Sequence, residues 1–307
     1  MTGGSIEHSA GANKSHRVVK VETRQPKSGG KMEKIGFVGT GAMGSALLSR
    51  LKLAGVSVTA FDVAPKALNE AKELGAQAAA SAKAVAQAST LIDVVVRTDQ
   101  EVFDCTLGEN GIFEGASPGT LVLLHSTIRP TTTKKVAEAA ADKRVYVIDA
   151  CMTAVPKVAR QGGLTFLVGG QRALFNRAKP HLLSMGKDAV YMGPLGSGNV
   201  TKLMKNLVTA SEALIVYEAI QIGKAAGIDY RASLELMKKT KSEPFLNRWE
   251  MRFDVSGTEL KFISGANLYD KDVPLAAEVG KALGADTPVT EQLAKLGIRL
   301  NGGKYTI

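Results

Sequence analysis

Cysteine is almost missing from this chain. Cys105 and Cys151 are the only two among 307 residues. That is too few for a disulfide framework, so a reducing, cytoplasmic setting is expected. Histidine is as scarce: His8, His16, His125 and His181 have no ligand-like spacing, and neither a zinc site nor any other metal site is expected. No apolar run approaches the ~18 residues of a membrane span, which excludes the membrane class. Excess negative charge is also missing, because the net charge is +10. Residues 1–31 hold six basic groups (Lys14, Arg17, Lys20, Arg24, Lys27, Lys31) against Glu7 and Glu22, which is +4 and leaves +6 for the rest. The remainder is spread out, and no nucleic-acid recognition motif accompanies it. Its expected effect is a mild positive field that attracts an anionic substrate and cofactor. The first 31 residues are rich in Gly, Ser and Lys and lack the apolar core of a secretory signal. They read as a disordered tail.

What is present starts with length. A chain of 307 residues with 45% hydrophobic content is globular and long for one core, so two domains are expected. The most informative stretch runs from Ile35 to Asp62. A short apolar run precedes Gly39-Thr40-Gly41-Ala42-Met43-Gly44. An apolar helical face follows (Ala46, Leu47, Leu48, Leu51, Leu53, Ala54), then Gly55 as a helix stop, then the β-branched run Val56–Phe61. The bare three-glycine pattern is weak, but its setting between strand and helix makes it a dinucleotide fingerprint. The first glycine permits a tight turn. The second lets a pyrophosphate approach the backbone, and the third lets the helix pack against the strand. Gly39, Gly41, Ala42, Met43 and Gly44 are therefore candidate cofactor contacts. Asp62 closes the second strand, where a ribose-binding acid belongs. Its carboxylate accepts from a 2′-hydroxyl and repels a 2′-phosphate, so NAD is favoured over NADP, with Lys66 nearby as the one counter-indication.

Strand and helix signals then alternate to about residue 195. Thr90–Val96, Thr120–His125, Val145–Ala150 and Leu164–Val168 read as strands, and Pro65–Leu74, Thr131–Ala141 and Arg172–Met185 as helices. Such alternation predicts a doubly wound, largely parallel Rossmann-type sheet. From Asn199 to Ala226 there is no proline and one interior glycine, which predicts a single helix of about 28 residues, roughly 42 Å long. The remainder also reads as helical. The expected organisation is a tail (1–31), a Rossmann domain (32–195) and an all-α domain (196–307) joined through the long helix, with a homodimer or homotetramer built on that apolar helix.

Gly196-Ser197-Gly198 opens the long helix, and Lys202 and Asn206, four apart, share one of its faces. A lysine in the first turn meets the positive helix end, which disfavours its ammonium and suits it to take a proton from a substrate hydroxyl. Taken alone, the same pair also fits a solvated helix surface.

Four ordered segments carry a resemblance: Ile35–Gly44; Ser126-Thr127-Ile128-Arg129-Pro130; Gly196, Gly198, Lys202 and Asn206; and Lys271-Asp272-Val273-Pro274-Leu275-Ala276. Over residues 34 to about 300 the chain resembles the β-hydroxyacid dehydrogenase family (3-hydroxyisobutyrate dehydrogenase-like enzymes). The resemblance implies an oxidoreductase that uses NAD to interconvert a small anionic 3-hydroxy acid and its semialdehyde. It implies Lys202 as the catalytic lysine, Asn206 as its assistant, Thr127 among the cofactor contacts, and Lys271 reaching cofactor and substrate from the helical domain.

The chain departs from the family pattern in its substrate loop. Where the family has Asp-Ala-Pro-Val-Ser-Gly-Gly, this sequence has Asp149-Ala150-Cys151-Met152-Thr153-Ala154-Val155. Thr153, Ala154 and Val155 are candidate substrate contacts with altered backbone access, since Val155 is stiff and bulky. His125 and Arg97 are unusual for the family, and each either touches substrate or ends a strand. Phe245, Arg248 and Trp249 either line the pocket or pack a helix. Cys151 reads as a packing cysteine. Two other readings remain: an imine reductase of the same fold, against which Lys202 argues, and a non-catalytic dinucleotide-binding module, for which the tail is too short a recognition domain.

Overall fold

The structure is a computed structural model that describes residues 33–242, 253–254, 261–262, 268–295, 299–301 and 304–306. The tail and the segment holding Phe245, Arg248 and Trp249 lie outside the described residues. Residues Glu33–Ile307 form one compact unit.

Eight strands make one sheet. They are β1 (Ile35–Val38), β2 (Val58–Phe61), β3 (Gln77–Ala78), β4 (Leu91–Val94), β5 (Leu121–Leu124), β6 (Tyr146–Met152), β7 (Thr165–Gly169) and β8 (Asp188–Gly193), in the order β3-β2-β1-β4-β5-β6-β7-β8. Strands β1, β4 and β5 are buried along their whole length. That is why they read as mostly apolar runs, with Asp93 the one charged residue among them: a parallel sheet carries helices on both faces. The order reverses between β1 and β4, the switch point where a doubly wound sheet opens a ligand crevice. Strand β7 runs antiparallel to β6. The connection between them holds only a five-residue helix, too little for a parallel crossover. The half-exposed edge strand β8 and the two-residue β3 are additions to the strands expected from sequence.

The helices in chain order are α1 (Ala42–Leu53), α2 (Pro65–Glu73), α3 (Ala82–Gln87), α4 (Asp99–Leu107), α5 (Ile112–Gly115), α6 (Pro130–Ala141), α7 (Pro156–Arg160), α8 (Arg172–Met185), α9 (Ser197–Ala225) and α10 (Tyr230–Met237), followed by α11 (Val273–Ala282) and α12 (Pro288–Lys295). Two apolar layers enclose the sheet. One gathers Phe37, Leu47, Leu51 and Phe166, and the other gathers Val85, Ile92, Ile112 and Ile128. Each such side chain, withdrawn from water, contributes about 1.5–3 kcal/mol. Helix α9 spans 29 residues, about 43 Å, two residues earlier at its start than the periodicity predicts. Its inner face packs against Tyr230 and Leu234 and against Leu268, Tyr269 and Val273. The C-terminal region is helical as expected, with two short antiparallel pairs in addition, β9 (Phe253–Asp254) with β10 (Lys261–Phe262) and β11 (Arg299–Asn301) with β12 (Lys304–Thr306). No described helix is long and apolar enough to cross a membrane.

Candidate active site

The three glycines after β1 meet three different constraints. Gly39 has φ +92°, and a Cβ there would sit 2.5 Å from the carbonyl oxygen of Val95. A Cβ on Gly44 would collide with the carbonyl oxygen of Gly39, so α1 lies against its own strand only because Gly44 lacks one. At Gly41 a Cβ would meet nothing within 4 Å. Gly41 and Ala42 are exposed, and no side chain caps the N-terminus of α1. An open approach to uncapped amides at the positive end of a helix fits a pyrophosphate. Asp62 stands beside it. Its Oδ2 accepts from the backbone N–H of Thr40 at 2.6 Å and from the Thr40 hydroxyl at 3.3 Å, and its Oδ1 accepts from the N–H of Ala64 at 2.8 Å. The carboxylate that fits a ribose thus also ties the end of β2 to the glycine turn.

The opening of α9 is built around a carboxylate from β6. Asp149 is fully buried, and it accepts from the backbone N–H of Gly196 at 2.7 Å and of Asn199 at 2.8 Å. Burial raises its pKa, against the lowering effect of those amides. Gly196 has φ +94°, and a Cβ on Gly198 would strike the carbonyl of Leu167 and come within 2.6 Å of Asp149. The Gly-x-Gly pattern is therefore what lets β6 and β7 approach the helix end. The positive end of α9 is not bare, as the argument from sequence supposes, but is met by Asp149.

From this end α9 presents Asn199, Lys202 and Asn206 along one face. Asn199 accepts from the Thr133 hydroxyl at 2.8 Å and donates to the Ser126 carbonyl and the Cys151 sulfur, both at 3.3 Å. Cys151 itself donates to Ser126. Burial pushes its thiol pKa far up and Asp149 adds to this, while the charges of Lys202 and Lys271 pull the other way. Both ammonium groups therefore lie within electrostatic reach of one atom at the end of β6. Lys271 donates to the carbonyls of Arg97 at 3.1 Å and Thr127 at 2.8 Å, the residues that follow β4 and β5. Asn206, 4% exposed, donates to Asp272 at 2.7 Å. Residues from β5, β6, α9 and the segment before α11 thus converge at the carboxyl ends of the strands, where two lysines favour an anionic ligand.

The other sequence candidates are placed as follows. His125 is 1% exposed. Its Nδ1 donates to the Ala150 carbonyl at 2.7 Å, its Nε2 lies 2.8 Å from Asp93 Oδ1, and the other oxygen of Asp93 lies 2.7 Å from His181 Nε2. With both nitrogens engaged inside the fold, His125 braces the ends of β4, β5 and β6. The Thr153 hydroxyl donates to the Thr165 carbonyl at 3.1 Å and accepts from the Thr165 N–H at 3.2 Å. It closes the β6–β7 ladder. Arg97 extends into solvent against Glu101. Ala154 packs on the apolar layer of Phe37 and Phe166, and Val155 is 49% exposed. Asp272, Asn199 and Ser126 are site residues whose roles sequence reasoning missed. For Asn199 a signal existed: it shares the helical face of Lys202 and Asn206.

Residues 34–193 match the family described as the NAD binding domain of 6-phosphogluconate dehydrogenase, and residues 196–304 match the one described as NAD-binding of NADP-dependent 3-hydroxyisobutyrate dehydrogenase. The NAD-dependent L-serine dehydrogenase of Pseudomonas aeruginosa is 30% identical over 84% of this chain and 89% of its own length. The chain belongs to the β-hydroxyacid dehydrogenase family. The 2-(hydroxymethyl)glutarate dehydrogenase of Eubacterium barkeri is a second relative, 31% identical over 87% of this chain and 88% of its own. Among solved structures, Mycobacterium tuberculosis 3-hydroxyisobutyrate dehydrogenase with L-serine superposes with a TM-score of 0.76 at 25% identity, covering 87% of this chain and 93% of that one. As a β-hydroxyacid dehydrogenase this protein is an oxidoreductase acting on CH–OH, with a NAD-binding domain.

Proposed function

We propose that this β-hydroxyacid dehydrogenase oxidises the hydroxyl of a small anionic 3-hydroxy acid to the semialdehyde or keto acid, and catalyses the reverse reduction, with Lys202 as general acid/base. The observation that carries the reading is that Lys202 and Asn206 share one face of α9, where Asn206 bonds Asp272, and that the neighbouring Lys271 reaches the carbonyls that follow β4 and β5. Bound at the Gly39–Gly44 turn, NAD supplies the hydride acceptor. Lys202 takes the hydroxyl proton during oxidation and returns it during reduction. Lys271 compensates the substrate carboxylate. Val155 offers that substrate an apolar wall where the family pattern has glycine. Asp62 supports NAD over NADP, since its carboxylate disfavours a 2′-phosphate.

The same reading divides the chain into a Rossmann domain to residue 195 and a substrate domain from 196. It makes the protein a cytoplasmic homodimer or homotetramer that uses the exposed Met204, Val208, Ile215 and Ile222 of α9.

The test is NAD reduction with 3-hydroxyisobutyrate, L-serine and 2-(hydroxymethyl)glutarate, alongside Lys202→Met. Loss of the general base is expected to lower kcat by about 10²–10⁴-fold with NADH binding unchanged. Wild-type turnover in Lys202→Met removes the assigned role. Reduction of imines without oxidation of any hydroxy acid replaces the reading with an imine reductase.

A further inference from the structure

Lys271 and Asp272 close a single π turn, Leu268–Asp272, that runs directly into α11. Such turns recur at functional sites because they re-aim side chains without ending the helix. Here the two neighbours part: Lys271 reaches the carbonyls after β4 and β5, and Asp272 reaches α9. Asp272 is 5% exposed. Its Oδ2 accepts from Asn206 Nδ2 at 2.7 Å. Its Oδ1 has no hydrogen-bond partner among the described residues; Lys271 Nζ stands 3.5 Å away, within ion-pair range but outside hydrogen-bond geometry. A buried lone pair left open is costly, so a role for this carboxylate is called for.

An ionised carboxylate only accepts. The end of Asn206 that faces it must be the NH2 group, whichever way an amide is otherwise drawn. The carbonyl oxygen of Asn206 is therefore turned away from Asp272, to the side where Lys205 Nζ lies at 3.5 Å.

We propose that Asp272 is a positioning residue that sets the polarity of the site: by holding the NH2 of Asn206 it makes that residue's carbonyl oxygen the hydrogen-bond acceptor presented to the reacting groups. This rests on the reading of Lys202 and Asn206 as the catalytic pair. An acceptor there orients a lysine ammonium or a substrate hydroxyl, which are donors, and does not bind the substrate carboxylate.

Asp272→Asn is the direct test, because an asparagine can donate as well as accept and so permits the flipped amide. It is assayed with the fastest substrate of the panel above. The expected result is kcat lowered about 10-fold or more, as for loss of an orienting contact, with the KM for NAD unchanged. The double variant Asn206→Asp with Asp272→Asn restores the polarity, since the carboxylate introduced on α9 is an acceptor that faces an NH2 donor from the π turn. It is expected to recover most of the lost kcat. Wild-type kcat in Asp272→Asn overturns the proposal, as does a double variant no faster than Asp272→Asn. Should the variants fail to fold, wild-type NMR reads the same polarity. The Asn206 side-chain amide, identified as the signal missing from Asn206→Asp or from Asn206→Ala, is expected to have one proton protected from solvent exchange, and its absence overturns the proposal. A wild type without turnover sinks the catalytic reading instead, and the protected amide is readable either way.

Discussion

Lys271 donates to the backbone carbonyl of Thr127 across 2.8 Å, and so ties the segment before α11 to the residues that follow β5. The same ammonium holds Arg97 after β4. The end of β4 borders the crevice at the switch point between β1 and β4, and the end of β5 lies next to it. An arm that fixes both bears on the shape of that crevice as well as adding charge beside it.

Removal of that arm is predicted to act on cofactor affinity first. In Lys271→Met the aliphatic length remains while both carbonyl contacts vanish. The KM for NAD is expected to rise about tenfold, the equivalent of one charge-assisted hydrogen bond, with a smaller fall in kcat. Steady-state kinetics with NAD varied would show this, and an unchanged KM for NAD with a raised KM for the hydroxy acid would restrict Lys271 to substrate.

The glycine turn separates stability from binding. Gly44→Ala forces a methyl group into the carbonyl of Gly39, and such overpacking is expected to cost about 1–3 kcal/mol. Gly41→Ala adds a methyl group into open space, so the Tm is expected to stay within experimental scatter while NAD binding weakens tenfold or more. Thermal melts paired with NADH fluorescence titrations distinguish the two, and equal losses of Tm would mean the Gly41 position is not the open one.

The protein's thiols are predicted to be silent. Burial pushes Cys105 up to about 12 and Cys151 higher still, so neither supplies the thiolate that reacts. An Ellman titration of the native enzyme at pH 7.5 is expected to find almost none of the two thiols within minutes and both after denaturation. Cys151→Ala is expected to keep activity within about threefold, the scale of a volume change beside a site rather than loss of a reacting group. Rapid native labelling of Cys151, with loss of activity, would make it a reactive group of the site.

How far the sequence carried these conclusions depends on distance along the chain. The glycine turn, α9 and the pair Lys202 and Asn206 were legible because each is local: a turn followed by a helix, a long run without proline, two residues one turn apart. The partner of Asn206 was not, because Asp272 lies 66 positions on. Nor was the cap of α9, which Asp149 supplies from β6. The antiparallel β7 escaped because a buried strand shows the same apolar run in either direction. The bracing role of His125 was hidden for a related reason. Its partners are Asp93, the one charged residue of an otherwise apolar strand, and, through that carboxylate, His181 on α8.

That buried trio makes the last prediction. Asp93 is wholly enclosed, and burial works to raise its pKa, but the charges and hydrogen bonds of His181 and His125 outweigh this and hold it well below the usual carboxylate range. A carboxylate depressed in the folded state adds stability that is complete above its unfolded pKa, near 3.9, and is lost as the pH falls below that value. Glu33, lowered by Arg177, works in the same direction, whereas Asp149, raised by burial, works against it. Asp93→Asn removes the anion and leaves two imidazoles facing an amide, which is expected to cost about 3 kcal/mol at neutral pH. The wild-type Tm is expected to fall as the pH is lowered from about 4.5 to 3, the interval in which Asp93 takes up a proton in the unfolded chain and not in the folded one. A Tm that stays flat or rises there would mean that Asp93 keeps its proton in the folded protein and that strands β4, β5 and β6 are braced by a neutral network.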